Sequence, residues 1–169
     1  MMRKLSFILL MVIAAMTASA QSLVGNWKAD INDNEVQNGC MFMDFSKNNM
    51  LKITFDMTMS SPEVGSIRFA LSIKGPYSLD ENKISFKAYK SSVDFQILER
   101  HFTPDLQAAL SMDPSIGKMI DDEMRKVIMD EKEGLGSVFN DVENMTIIEL
   151  TDKTLKVQSG QETYNMQRQ

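Results

Sequence analysis

Apolar and polar residues alternate in several segments of this chain. Between Leu51 and Met59 every second residue is apolar, and Lys52, Thr54 and Asp56 lie among them. A period of two places successive side chains on opposite faces of a β-strand, so each such strand has one apolar and one polar face. The same alternation recurs at residues 41–45, 67–73, 84–88 and 93–97, and it returns after residue 143.

Turn sequences separate these segments. Residues 47–49 and residues 80–82 combine Asn, Asp, Glu and Lys in short polar stretches that are typical of turns. With residues 23–29 as the first strand, the pattern predicts eight or nine short strands whose sequence neighbours are antiparallel. A sheet of that size with one apolar face must close or fold over to bury it. We therefore expect a mainly β protein, an antiparallel up-and-down β-barrel, with a two-sheet sandwich as the alternative.

One segment, residues 103–143, lacks the alternation and is predicted to be an insert between strands. Its helical part is expected at about residues 103–135. Thr103-Pro104 and Asp113-Pro114 each place a capping residue before a proline, which is a helix-start signal. The insert follows the sixth predicted strand and precedes the last three. Apolar residues three and four apart form a stripe that we expect to lie across one barrel mouth as a lid. The lid residues are Ile116, Met119, Ile120, Val127 and Ile128.

The first 20 residues read as a secretory signal peptide. Arg3 and Lys4 precede an apolar stretch that ends near Met16, and Ala18-Ser19-Ala20 is a small-residue cleavage site. The remaining residues, 21–169, are expected to form a single exported domain in the periplasm or outside the cell. Gln21 rather than a cysteine follows the cleavage site, which argues against a lipoprotein anchor, and no other segment is long enough for a transmembrane helix.

Composition limits the chemistry that the chain can perform. The net charge of −5 disfavours nucleic acid as a partner, because a phosphate backbone requires a basic surface. Cys40 is the only cysteine, so an intramolecular disulfide and a cysteine-based zinc cluster are excluded. Its position at the start of the apolar run 40–43 leads us to expect a buried thiol.

A catalytic or metal centre is not expected. His101 is the only histidine, which excludes a histidine-based metal centre, and no Gly-x-Ser-x-Gly motif accompanies it. A hydrolase would need a polar pocket around His101. We therefore expect a protein that is not an enzyme and that carries no metal and no cofactor.

Gly25-Asn26-Trp27 on the first predicted strand, followed by an antiparallel meander, resembles the lipocalin-like superfamily. Small secreted lipocalin-like proteins of Gram-negative bacteria are the relatives that it suggests, and residues 155–157 and 164–168 fit the same pattern. The resemblance implies that Trp27 closes one end of the barrel and that Arg168, from the last strand, packs across its ring. This chain departs from the family because its helices are inserted among the strands and because the family's disulfides are absent.

Two functions from different classes remain. The predicted inward faces are rich in Met and Phe, which favours an interior that holds one small apolar or amphipathic, lipid-like ligand. The alternative is a protein–protein interaction module with a filled barrel, in which the helical insert docks on a partner. A void of roughly 300 Å³ or more favours the ligand-binding function. The residues expected to line the ligand site are Met43, Phe45, Phe55, Met57, Phe69, Phe86 and Phe95.

Overall fold

The computed structural model describes residues 23–31, 38–129 and 144–169, in which the chain forms nine β-strands and two α-helices. The strands are β1 (Gly25–Ile31), β2 (Asn38–Phe45), β3 (Met50–Ser61), β4 (Gly65–Asp80), β5 (Lys83–Phe86), β6 (Asp94–Phe102), β7 (Asn144–Leu150), β8 (Thr154–Ser159) and β9 (Glu162–Arg168). The helices are α1 (Pro104–Met112) and α2 (Ser115–Met129), and a short 3-10 turn spans Lys90–Ser92. The predicted signal peptide, residues 1–20, lies outside the described residues.

Eight of these strands form a closed antiparallel barrel. Strands β1 to β5 pair in sequence order, β5 pairs with β7, and β7 to β9 again pair in order. The ring closes where β1 pairs with β9, with Trp27 opposite Arg168. The prediction of an antiparallel barrel with helices before the last three strands is confirmed, and the closure rules out the two-sheet sandwich.

β6 is the ninth strand and lies outside the ring. β4 is 16 residues long, and β3 occupies one of its edges. On the other edge, the second half of β4 pairs with β5 and the first half pairs with β6. The 3-10 turn between β5 and β6 is held against β4 by Ser92, whose hydroxyl accepts a hydrogen bond of 2.9 Å from the Lys74 backbone N–H. The chain from β5 to β6 therefore follows a single edge of β4.

The strand register distinguishes two ends of the barrel. Gly25 pairs with Phe45 at one end of β1, and Ile31 pairs with Gly39 at the other. We call the end that contains Trp27 and Arg168 the closed end. β6 lies toward the opposite end, the insert end, because it pairs with residues 65–72 of β4. The strand register aligns Trp27 with Ile73, so residues 65–72 lie on the Ile31 side of Trp27. α1 and α2 follow β6 directly.

Inward side chains from all eight barrel strands and from β6 form one apolar core. The alternation of the sequence produces this core, because the buried residues of β2, β3 and β8 fall at every second position. Two aromatic pairs contribute to it. Phe45 and Tyr77 meet edge to face with ring centroids 5.1 Å apart, and the Phe69 and Phe95 centroids are 5.6 Å apart.

The two helices start where the sequence predicts. Thr103 is the N-cap of α1 and Pro104 its first residue. The Thr103 hydroxyl also donates a hydrogen bond of 3.1 Å to the Glu63 carbonyl oxygen, which anchors the start of α1 to the β3–β4 turn. Before α2, the Asp113 carboxylate accepts a hydrogen bond of 2.9 Å from the Ser115 backbone N–H. Hydrogen bonding with the Ser115 side chain first, and with its backbone N–H second, lowers the Asp113 pKa. Within the described parts of the chain, neither helix has the length and apolar character needed to cross a membrane.

Candidate functional site

Trp27 fills the closed end of the barrel. Its side chain has no exposed surface, and its Nε1 donates a hydrogen bond of 2.8 Å to the Leu23 carbonyl oxygen. The Arg168 guanidinium carbon lies 4.2 Å from the centroid of the Trp27 ring. Arg168 also donates to the carbonyl oxygens of Val24, at 2.8 Å, and Asp152, at 2.7 Å. The expected contact between Trp27 and Arg168 is present, and it joins β1, the β7–β8 turn and β9.

Gly25 allows Arg168 to reach this position. Its φ of 139° is a conformation that side-chain-bearing residues rarely adopt. A Cβ atom at Gly25 would lie 2.6 Å from Nη1 of Arg168, well inside van der Waals contact. The φ of Gly25 therefore favours glycine at this position, and a Cβ there would also displace the end of the Arg168 side chain from the place that it occupies.

All seven residues predicted to line a ligand site lie on the inner face of the barrel and belong to the core. None of them has more than 6% of its surface exposed. As far as the described residues define it, the interior is filled by side chains in contact with one another. The residues are Met43, Phe45, Phe55, Met57, Phe69, Phe86 and Phe95.

α2 lies against the inner face of β6 at the insert end. Phe95 of β6 pairs with Leu71, and both side chains are buried in the core. The Arg125 guanidinium carbon of α2 lies 5.2 Å from the centroid of the Phe95 ring, and its Nη2 donates a hydrogen bond of 3.2 Å to the Phe95 carbonyl oxygen. Met124, the preceding residue, is half-buried and packs against the core. α2 thus contacts the interior at the end that Trp27 does not close.

A second contact between α2 and β6 is an ion pair. Arg100 donates to both carboxylate oxygens of Asp121, from Nε at 3.2 Å and from Nη2 at 2.6 Å. Arg100 pairs in register with the buried Ile67, so its side chain points to the inner face. A β-bulge causes this orientation, because Leu98 is an extra residue between the pairs of Arg68 with Glu99 and Phe69 with Ile97. Arg100 is not among the residues predicted to form a site, although the break in alternation after Ile97 marks the bulge.

The predicted lid residues are not all equally covered. Ile116 and Ile120 are half-buried, whereas Met119 is 67% exposed. The side chains of Val127 and Ile128, near the end of α2, lie outside the described part of the structure. The lid function of this stripe stays a prediction. In the structure Met124, which belongs to the same stripe, packs against the core, and Arg125 contacts Phe95.

An open groove with a volume of about 370 Å³ lies where β4, β5 and β7 meet. Its polar lining residues, Ser78, Ser85, Lys87 and Asn144, are all exposed. Ser85 pairs with Asn144 and with Ser78 on the outer side of the wall, opposite to the buried Phe86. The groove therefore opens on the outer side of the barrel wall, and Phe86, one of the residues predicted to line the ligand site, also lines it.

Cys40 is not a buried thiol as expected from its apolar neighbours. Met41 and Met43 face the core, so Cys40 faces outward, where it is partly exposed. Its Sγ lies 3.4 Å from Oδ1 of Asp30 as a hydrogen-bond donor. Nζ of Lys28 lies 3.1 Å from the same carboxylate oxygen. Hydrogen bonding with Asp30 first, and with Cys40 second, raises the pKa of Lys28.

His101 lies on the outer side of β6. Its Nε2 is 3.0 Å from Oε1 of Glu99, and both side chains are exposed. Within residues 23–31, 38–129 and 144–169, no group of three or more His, Cys, Asp or Glu side chains is arranged to hold a metal ion.

No protein-family model matches the chain, and no curated protein matches it. One similar solved structure is that of an uncharacterized protein from Bacteroides eggerthii DSM 20697. The two are 16% identical, the match covers 86% of this chain and 98% of the other, and the TM-score is 0.42.

Proposed function

We propose that this protein is an exported, lipocalin-like binding protein that takes up one small apolar or amphipathic, lipid-like molecule beneath α2. The observation that carries the proposal is the asymmetry of the barrel ends. Trp27 and Arg168 seal one end with buried and hydrogen-bonded groups. At the other end, Met124 of α2 packs against the Phe- and Met-rich core, Arg125 contacts Phe95, and Asp121 pairs with Arg100 of β6.

The contacts that hold α2 against β6 are weak enough for the helix to move away. The side chains of Arg100 and Asp121 are 39% and 35% exposed, and such partly exposed ion pairs contribute about 1 kcal/mol or less. In the part of the chain that the structure describes, α2 also contacts β6 through Arg125, at the ring and carbonyl oxygen of Phe95. An element held in this way belongs to the least stable part of a fold and opens more readily than the barrel strands.

Because the described interior is filled, a ligand enters only by replacing side-chain contacts. Met124 is the residue whose packing a ligand would take over first, since it lies between α2 and the core. Methionine side chains are flexible and polarisable, so Met57 and Met124 can repack around an apolar molecule at small cost. Uptake in this proposal is coupled to movement of α2.

The proposal of export rests on residues 1–20. A positive start, an apolar stretch and the small-residue site Ala18-Ser19-Ala20 favour secretion. N-terminal sequencing of the exported protein should find a start near Gln21, and an intact Met1 on that form would contradict export by cleavage.

A second candidate function is a protein–protein interaction module. The filled interior favours it, as does the exposure of two methionines on the insert. Met112 is 88% exposed at the end of α1, and Met119 is 67% exposed on α2. Exposed apolar residues of a helical hairpin are a surface that a protein partner can cover.

Titration with the neutral apolar dye N-phenyl-1-naphthylamine tests the two candidates, together with native mass spectrometry of protein purified from its host. Ligand binding predicts saturable dye fluorescence and a copurified small molecule that the dye displaces. Met124→Asp should weaken dye binding, and Met112→Asp is the matched control that should leave dye binding unchanged. A barrel that takes up neither dye nor any small molecule contradicts the ligand-binding proposal and supports the interaction module.

A further inference from the structure

We propose that the open groove where β4, β5 and β7 meet binds an acidic sugar, which is a ring with several hydroxyl groups and one carboxylate. This second ligand site goes beyond the proposed function and does not depend on uptake of an apolar molecule beneath α2. All residues that line the groove are among the described ones. Its volume of about 370 Å³ is within the range of small-molecule sites.

A row of three polar side chains crosses the groove. Ser78 of β4 pairs with Ser85 of β5, and Ser85 pairs with Asn144 of β7. Paired residues point to the same side of a sheet, and neighbouring strands lie about 4.8 Å apart, so the row extends over about 10 Å. The Ser85 hydroxyl donates a long hydrogen bond of 3.5 Å to Oδ1 of Asn144. Hydroxyl and amide groups both donate and accept, as the hydroxyl groups of a sugar do.

Lys87 adds a positive charge on one side of this row. Its backbone N–H donates a hydrogen bond of 3.0 Å to the Pro76 carbonyl oxygen, which continues the pairing of β4 with β5 and places Lys87 on the same side as Ser85, about 7 Å along the chain. A Cβ at Gly75 would lie 2.0 Å from the Lys87 carbonyl oxygen, so Gly75 allows this close approach. A lysine beside hydroxyl groups suits a ligand that carries a carboxylate as well as hydroxyl groups.

The strand register distinguishes Lys87 from the other lysine of β5. Lys83 is also exposed and lies two residues before Ser85, on the same outer side. It is directly opposite Asp80, whereas Lys87 is opposite Pro76, which has no charge. Lys87 lines the groove and Lys83 does not. The two lysines therefore form a matched pair for testing whether the groove recognises charge.

The rest of the lining is apolar. Pro76 and Tyr77 are half-buried, and the Tyr77 ring is held edge to face against Phe45, with the centroids 5.1 Å apart. Phe86 is buried in the core and completes this lining. Sugars have apolar C–H faces as well as hydroxyl groups, so a fixed aromatic side next to a polar row matches both parts of such a molecule. The groove is open, which suits a ligand that keeps part of its hydration.

The test uses three probes that separate the hydroxyl groups from the charge. D-glucuronate carries both, D-glucose carries only the hydroxyl groups, and acetate carries only the carboxylate. Each is titrated into the isotope-labelled protein, and binding is followed through the backbone amide shifts in two-dimensional NMR spectra. We expect glucuronate to shift the amides of residues 77–78, 85–87 and 144, and to bind about tenfold more tightly than glucose or acetate.

Three variants connect the binding to named side chains. Lys87→Gln should bind glucuronate no more tightly than glucose, because the charge contact is lost. Ser85→Ala should weaken the binding of glucuronate about fivefold, because it removes the central hydroxyl of the row. Lys83→Gln is the control and should bind glucuronate as the wild type does. Dispersed amide spectra confirm that each variant is folded.

Several results would overturn the proposal. If acetate binds as tightly as glucuronate, the groove recognises only a charge, and if glucose does, it does not recognise the carboxylate. Equal losses of glucuronate affinity in Lys83→Gln and Lys87→Gln would replace a specific contact by a general charge effect. Shifts that fall outside the groove, or no binding of any probe, would also contradict it. None of these results bears on the apolar site beneath α2, which the dye titration tests.

Discussion

The Arg168 guanidinium lies across the Trp27 ring, 4.2 Å from its centroid, and it does so between the first and the last strand of the barrel. The same guanidinium donates to carbonyl oxygens of Val24 and Asp152. A single side chain therefore covers the indole and holds three separate parts of the chain where the ring of strands closes.

Replacing Trp27 with Ala should lower the free energy of unfolding by about 3–5 kcal/mol, because it removes a large, fully buried aromatic side chain. Arg168→Met keeps the apolar stem but loses the bonds to the two carbonyl oxygens, so we expect a smaller loss of about 1–2 kcal/mol. Urea unfolding followed by far-ultraviolet circular dichroism measures both. Gln167→Met, an exposed position on the same strand, is the control. A Trp27→Ala variant as stable as this control would refute the proposed role of the closed end.

Gly25→Ala should destabilise the protein by about 1–3 kcal/mol, because the new Cβ meets Arg168 and the backbone there has a φ of 139°. Gly160 is the matched comparison. It also has a positive φ, 57°, but a Cβ there meets no atom within 4 Å, and Asn tolerates that conformation. Gly160→Asn should therefore be nearly neutral in thermal unfolding. Equal losses for the two variants would mean that the Arg168 contact is not what constrains Gly25.

Cys40 should react with a thiol reagent such as 5,5′-dithiobis(2-nitrobenzoate) while the protein is folded, because its side chain faces outward and is partly exposed. One equivalent of released thiolate is expected without denaturant, and none from Cys40→Ser. Reaction that begins only when the barrel unfolds would show that the thiol is inaccessible in the native protein.

Asp121→Asn should loosen α2 without unfolding the barrel. The Arg100 contact is partly exposed, so global stability should fall by less than about 1 kcal/mol. Hydrogen exchange within α2 should increase by up to about fivefold, while β1 and β9 exchange as in the wild type. Asp122→Asn, at the exposed neighbouring position, should leave α2 unchanged. Similar exchange in the two variants would show that the ion pair does not hold the helix.

The strands and their inward faces could be predicted from the sequence, because burial of one face gives apolar residues at every second position. Between Leu51 and Met59 the polar residues that separate the apolar ones show this period clearly. The helical insert was predicted for a related reason, since Thr103-Pro104 and Asp113-Pro114 carry the capping chemistry that starts a helix. These signals are local, and each is produced by the residues that form the element.

The features that could not be predicted depend on pairing between distant segments. β6 has the same alternation as the barrel strands, and its place outside the ring follows from the length of β4. The orientation of Arg100 depends on the bulge at Leu98, which reverses the faces of all later residues in the strand. Cys40 was assigned to the core from its neighbours, although its parity with Phe42 and Asp44 places it on the outer face.

The most direct test of the account is hydrogen exchange measured by mass spectrometry with and without saturating N-phenyl-1-naphthylamine. Uptake beneath α2 predicts slower exchange in residues 115–126 and in β6 when the dye is bound, and unchanged exchange in β1 and β9 at the closed end. Protection confined to residues 76–87 would place the dye in the outer groove instead. Binding that leaves the exchange of α2 and β6 unaltered would contradict the claim that this helix covers the entrance to the barrel.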